Sequence, residues 1–237
     1  SATGWKTCSP SANCWETDPG LHTWQRAYLR NCVDIDVVVR DARRIHYLQR
    51  SVTILDARES APAEGGPSFS LENRLLRAAW IGVWLVGAAW TPRQFAPWRR
   101  LLLRCFGARM APGSDVRASA RVWFPAHLEM GRGAVIGPGV NVYCMGTISL
   151  GEDVLVSQGA HLCAGTHDWP GCVTRGDANP IRIGARRWIA AEAFVGRGPR
   201  IGEGAVLGAR AVAFGELEAW TIYSGNPAKP IRKRRAS

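Results

Sequence analysis

No two of the seven cysteines form a CxxC pair. They stand at 8, 14, 32, 105, 144, 163 and 172, an odd and scattered set that argues for a reducing compartment and for thiols packed as small hydrophobes. Long hydrophobic runs are missing too. The longest, Ala78 to Trp90, has 13 residues, whereas a bilayer-spanning helix needs about 20. The first sixty residues hold no uninterrupted apolar core followed by a small-residue cleavage site, so they do not read as a secretory signal. Acidic residues are the scarcer charge, 19 Asp and Glu against 30 Lys and Arg, for a net charge of +11. The excess is local: +1 over residues 1–60, +5 over 61–110, zero over 111–228 and +5 over 229–237. Nucleic-acid binders carry basic surface on the folded body, because phosphate contacts dominate their affinity. A neutral body over 111–228 argues against that class.

What is present divides the 237 residues into three stretches. Residues 1–68 form an N-terminal extension and linker. Its first sixty residues show no sustained period, with a helix through Thr23 to Tyr47 or disorder as the alternatives, and Ala61 to Ser68 is Pro- and Gly-rich. Residues 69–109 read as helical: Ser70 caps a helix over Leu71 to Trp90, Thr91-Pro92 breaks it, and Phe95 to Phe106 resumes. Residues 110–237 carry a repeat and end in a basic tail.

In the repeat, Met110, Met130 and Leu150 stand 20 apart and open similar segments. The spacing then settles at six through Ile183, Ile189, Val195, Ile201 and Leu207, each followed by Gly or Ala. At least ten such units fit. A unit with one aliphatic side chain and a following small residue suits a triangular coil. The aliphatic group points to the axis and the small residue permits the tight corner. Eighteen residues complete a turn, and the 20-residue spacing is a turn with a two-residue bulge. This is the hexapeptide signature of a mainly β, left-handed parallel β-helix, here with a short helical segment before it. The repeat fails over residues 163–182, which must leave the prism as an excursion loop, and loops on rigid scaffolds are where chemistry concentrates.

Five segments, Arg99–Ala108 (RRLLLRCFGA), Val140–Gly146 (VNVYCMG), Ser157–Trp169 (SQGAHLCAGTHDW), Trp188–Gly196 (WIAAEAFVG) and Tyr223–Ile231 (YSGNPAKPI), carry a resemblance. From about Leu71 to Arg234 the chain resembles the hexapeptide-repeat acyltransferases, in particular the branch of colanic-acid and other exopolysaccharide O-acetyltransferases. Residues 1–60 take no part in it.

The resemblance implies roles. His167, at the mouth of the excursion, falls where the family has its catalytic histidine, and imidazole suits a base that takes the acceptor hydroxyl proton near neutral pH. Asp168 would orient the ring or bind acceptor hydroxyls. Asn141 would contact acetyl or acceptor, with coil stacking as its structural alternative. Trp188 would pack on the pantetheine arm of acetyl-CoA, and the backbones of Ala191 and Ala209 would bind its amides, while Phe214 stands where many relatives have Thr. Gly225, Asn226 and Pro227 would turn the chain at the nucleotide end, where Lys229 and Arg232, with Lys233 as a further candidate, would meet phosphate.

The resulting expectation is an acetyl-CoA-dependent O-acetyltransferase acting by direct transfer, since no Cys or Ser has an evident activating partner. It would be a cytoplasmic homotrimer with clefts between prisms, acting on a sugar, nucleotide-sugar or lipid-linked oligosaccharide. No nucleic acid and no metal are expected. Residues 71–106, with Arg and four Trp, would either close the open end of the coil or rest peripherally on the inner membrane face. Two alternatives stand beside this reading: a metal-dependent hydratase of the γ-carbonic-anhydrase type, using His127, His161 and His167, and a non-catalytic β-helix scaffold.

Overall fold

A computed structural model describes residues 69–167, 176–178, 180–196 and 198–235, with the backbone alone at 166, 167 and 176–178. The expected Thr23–Tyr47 helix and the linker at 61–68 lie outside the described residues.

Ser70 opens α1 (Leu71–Gly87), its hydroxyl accepting from the Asn73 amide at 3.2 Å, which satisfies one of the free N–H groups of a first helical turn. The helix stops three residues before the expected Trp90. The Ala88 and Ala89 amides both reach back to the Trp84 carbonyl, and the Trp90 indole donates to the Val86 carbonyl. The chain thus winds off ahead of Pro92, which cannot continue a helix. A 3-10 turn at Arg93–Phe95 leads into α2 (Ala96–Cys105).

Both helices are tied to the coil by side chains. The indoles of Trp80 and Trp84, one turn apart on α1, donate to the Val122 carbonyl at 2.7 Å and the Ala118 carbonyl at 3.1 Å. Leu103 of α2 joins them in an apolar core that continues through Met110, Val116 and Val122. Arg99, 1% exposed, pairs with Asp115 at 3.0 Å and donates to the Val116 carbonyl at 2.8 Å. The helical segment therefore closes the N-terminal end of the coil.

The coil follows at one strand per face. The first turn is β1 (Arg109–Met110), β2 (Asp115–Val116) and β3 (Arg121–Val122); the second is β4 (Leu128–Met130), β5 (Val135–Ile136) and β6 (Asn141–Tyr143). The third is β7 (Ile148–Leu150), β8 (Leu155–Val156) and β9 (His161–Cys163), after which β10 (Gly165–His167) and β11 (Gly176–Ala178) leave the prism. Winding resumes with β12 (Ile181–Ile183), β13 (Trp188–Ile189), β14 (Phe194–Gly196), β15 (Arg200–Ile201), β16 (Val206–Leu207) and β17 (Val212–Ala213). It ends with β18 (Thr221–Ser224) and β19 (Lys229–Lys233), which folds back antiparallel on β18. The first face is β1-β4-β7-β12-β15, the second β2-β5-β8-β13-β16-β18 and the third β3-β6-β9-β14-β17. This is a left-handed parallel β-helix of about five turns.

The register explains the two spacings. Met110 pairs with Met130 and Met130 with Leu150, 20 residues each, whereas Ile183 pairs with Ile201, 18 residues on. Both extra pairs of residues sit at one edge, between the third face and the first: Val122 to Met130 and Val142 to Leu150 take eight residues where other sides take six. The excursion between Leu162 and Ile183 leaves from that same edge. Another edge shows why the repeat needs its small residues. A Cβ on Gly131 would lie 2.6 Å from the Gly151 carbonyl carbon, and one on Gly151 would lie 2.6 Å from that of Gly184. Only hydrogen fits between the stacked turns there.

Candidate active site

The excursion begins as an antiparallel hairpin in which Gly165 pairs with Ala178, Thr166 with Asp177 and His167 with Gly176. Two contacts hold β10 against the prism. The Cys163 thiol donates to the Gly165 carbonyl at 3.2 Å. A Cβ on Gly165 would lie 2.7 Å from Tyr143 Cε1 and 2.8 Å from Met145 Sδ, so glycine lets the strand lie directly on the turn below. His167 therefore leaves the coil two residues beyond a point pressed onto Tyr143. Asp168 lies outside the described residues.

Asn141 starts β6 on the third face, half-buried, with its amide nitrogen 3.4 Å from His161 Nε2. The Phe194 ring meets His161 edge-on at 5.2 Å. Burial lowers the His161 pKa, which favours the neutral ring. Because Asn141 pairs with His161 and Tyr143 with Cys163, it is Tyr143 that underlies β10, at the far end of the same short strand.

The residues implied for cofactor binding gather elsewhere. Trp188 projects from the second face, 46% exposed, and its indole donates to Ser157 Oγ at 2.8 Å. Ala191 and Ala209 occupy stacked turns between the second and third faces, linked by the Arg210 amide on the Ala191 carbonyl at 2.9 Å. One turn further, the Val212 amide donates to the Gly225 carbonyl at 3.0 Å, and the Asn226–Pro227 bond is cis. Lys229 and Arg232 are exposed on β19, while Lys233 is engaged with Glu218 at 2.6 Å. Ala191, Ala209 and Gly225–Pro227 thus line one edge of the third face, and the His167 hairpin leaves from the other.

Two of the three histidines considered as metal ligands have unrelated surroundings. His127 Nδ1 sits 2.8 Å from the Met145 carbonyl beside the Phe124 ring, and burial lowers its pKa. Among the described residues no group of three His, Cys, Asp or Glu could hold a metal ion. A shallow groove of about 620 Å³ runs along the first face over Arg109, Glu129, Ser149 and Arg182. None of the sequence-predicted residues lines it, and Glu129 is engaged there by both Arg109 and Ser149.

One cluster escaped the sequence reading. Phe69 and Trp123 stand 5.4 Å apart, Trp123 meets Tyr143 edge-on at 5.4 Å, and the Arg77 guanidinium lies 4.1 Å over the Trp123 ring. One turn before Arg77 on α1, Asn73 is fully buried with neither amide atom hydrogen-bonded. The signal was available: Asn73 and Arg77 interrupt the stripe that continues as Trp80 and Trp84.

The chain is 39% identical over 162 residues to WcaF of Escherichia coli strain K12, a protein named as an acetyltransferase of colanic acid biosynthesis; the match spans 68% of this chain and 89% of that one. Its fold is similar to that of a hexapeptide-repeat acetyltransferase of Vibrio cholerae O1 biovar eltor solved with acetyl-CoA, at a TM-score of 0.62 and 22% identity over 70% of this chain and 91% of that one. It is also similar to a galactoside acetyltransferase solved with coenzyme A, at 0.64 and 16% over 71% and 85%. No family model matches the chain.

Proposed function

The chain belongs to the hexapeptide-repeat acetyltransferases, and from that membership we propose that it moves an acetyl group from acetyl-CoA to a hydroxyl of a sugar, nucleotide-sugar or lipid-linked oligosaccharide, with His167 as general base. The observation that carries the reading is the hairpin β10–β11, which starts the single large break in a rigid coil with His167 at the end of its first strand. The imidazole takes the acceptor hydroxyl proton as the oxygen attacks the thioester carbonyl, and returns it to the departing CoA sulfur. Asp168 orients the ring or the acceptor, and Asn141 contacts acetyl or acceptor. Direct transfer agrees with the described cysteines: Cys144 is fully buried, bonded to the Phe124 carbonyl and pushed up to about 12 by desolvation, and no described cysteine hydrogen-bonds a histidine.

Trp188, the Ala191 and Ala209 backbones, Gly225-Asn226-Pro227, Lys229 and Arg232 hold the cofactor from adenine-phosphate end to pantetheine. Of these, Ala191, Ala209 and Gly225–Pro227 line the edge across the third face from the hairpin, with Trp188 and β19 on the second face beside it, so one prism supplies the base and its neighbour the cofactor edge, as in a homotrimer. An outward row on the second face, Val135, Leu155 and Trp188 in register, with Leu155 and Trp188 exposed, supplies apolar surface for that packing. Incubation of the intact chain with acetyl-CoA and a panel of sugars releases thiol only when an acceptor is present. Cofactor binding with no turnover on any acceptor would leave the scaffold reading in its place.

A specific observation extends this to the cytoplasmic membrane face. No helix among the described residues is long and apolar enough to cross a membrane. Yet Ile81, Leu85, Val86 and Trp90 are exposed on a stretch with no charge between Ala78 and Pro92, next to exposed Arg74, Arg93 and Arg104. A helix apolar all round but covered on one side retains a face for a second apolar phase, and the arginines favour anionic headgroups. The protein is expected to co-sediment with vesicles containing anionic phospholipid at low salt, and Leu85→Glu with Val86→Glu to stay in the supernatant. Wild-type protein left in the supernatant removes the membrane extension and leaves the enzyme reading intact.

A further inference from the structure

We infer that Asn73, Arg77, Trp123 and Tyr143 form the subsite that recognises the acceptor, and that the acceptor is a sugar bearing an anionic group. The inference rests on the acyl-transfer reading above and narrows its substrate class. Four observations lead to it.

The first is an unpaired charge. Arg99, buried to a greater degree, has Asp115 as partner, but Arg77 has no carboxylate within 4.0 Å among the described residues, and its Nε is buried without a hydrogen-bond partner. Contact with the Trp123 and Phe69 faces compensates part of the lost hydration. Among the described residues no acceptor takes the hydrogen-bonding fork of the guanidinium, and that fork matches a carboxylate or phosphate. The second is Asn73, whose amide has both a donor and an acceptor buried and unsatisfied, one helical turn from Arg77 on the face of α1 turned to the coil. Groups of this kind in a folded chain call for an explanation, and because Asn73 has no exposed surface, a hydroxyl-rich ligand seated beside Arg77 supplies one only by drawing the amide toward it.

The third is the surface between them. Trp123 and Tyr143 are half-buried rings standing edge to face, the kind of wall against which the C–H face of a pyranose stacks while its polar groups reach the Arg77 guanidinium over Trp123. The fourth is position. Tyr143 lies beneath Gly165, two residues before His167, so an occupant of the cluster is held beside the strand that delivers the base. If Arg77 were only a strut fastening α1 to the coil, stacking on Trp123 would suffice, and the neighbouring amide would not need to be left open.

The test is ligand binding by the full chain, read by saturation-transfer NMR titration with methyl β-D-glucuronide, methyl β-D-glucoside and glucose 1-phosphate. Wild type is expected to bind the glucuronide or the phosphate at least about tenfold more tightly than the neutral glucoside, as a charge-assisted contact gives; which of the two leads identifies the anion as carboxylate or phosphate. Arg77→Gln is expected to lower the anionic sugar to the level of the glucoside with an unchanged melting temperature, and Arg77→Lys to keep part of the preference. His167→Asn is expected to retain it fully, so loss of turnover and loss of recognition are read separately. Equal binding of charged and neutral sugars by wild type, or a preference that survives Arg77→Gln, overturns the proposal whatever the fate of the base; the wild-type comparison decides even where Arg77→Gln does not fold.

Discussion

His167→Asn is expected to lower kcat for acetyl transfer by about 10² to 10⁴, the range over which a positioned general base acts, with the KM for acetyl-CoA little changed. Asparagine suits the test because it keeps a polar side chain of similar reach at the end of β10, where the backbone is already fixed by pairing with Gly176, but it cannot take a proton near neutral pH. The split between kcat and KM follows from the proposed layout. The cofactor edge through Ala191, Ala209 and Gly225 lies across the third face from the hairpin, so removing the imidazole leaves the cofactor's own contacts in place. A base that acts only as the acceptor oxygen attacks contributes to the transition state and not to ground-state binding. Acceptor-dependent thiol release at saturating acetyl-CoA measures the effect. Full activity in the variant sinks the assignment of the base, while a raised KM with unchanged kcat turns His167 into a binding residue.

The prism was legible because its signal is periodic and local. One aliphatic residue in six, followed by a small one, is a pattern the stacked turns enforce directly, as Gly131 and Gly151 show by leaving no room for a Cβ against the backbone of the next turn. The place of the excursion was legible as a failure of that pattern. The end of α1 was not: Gly87 and Trp90 both fit an apolar helix, and the decision fell to the Ala88 and Ala89 amides turning back to one carbonyl. Nor does the sequence reveal which residue of a two-sided strand meets the hairpin. Asn141 and Tyr143 share β6, and only the register with His161 and Cys163 sets Tyr143 under β10. Arg77 and Trp123 are far apart in the chain and belong to different elements, so their stacking leaves no local trace beyond an arginine in a helix face that otherwise reads as core. Sites built from tertiary neighbours are hidden in this way wherever the scaffold itself is repetitive.

Arg99→Ala is expected to lower the unfolding free energy by about 3 kcal/mol, the low end of what breaking a buried pair costs, because Asp115 keeps Arg117 at 3.2 Å while the Val116 and Pro92 carbonyls lose their buried donor. Exposed pairs on the coil, such as Arg210 with Glu192, should by contrast leave the unfolding free energy nearly unchanged when broken. Arg99 does more than neutralise Asp115: it also donates to the carbonyls of Val116 and Pro92 and to Thr91 Oγ1, each at 2.9 Å or less. Replacing the pair with apolar residues, Arg99→Met with Asp115→Leu, should therefore recover only part of the loss, since those carbonyls would still lack a donor. Arg117, 3.2 Å from Asp115, would lose its partner as well. Urea unfolding of wild type, the exposed-pair variant, the single and the double variant provides the measurement. A loss below about 1 kcal/mol in Arg99→Ala would mean that the Trp80 and Trp84 indoles of α1 and the Arg100 and Arg104 bonds of α2 to the Ser114 and Met110 carbonyls hold the helices to the coil without it. A loss in the expected range makes Arg99 the anchor that keeps α1, and with it Arg77, in register with Trp123, so that the same variant should also blunt the preference for an anionic sugar without touching any residue of that subsite.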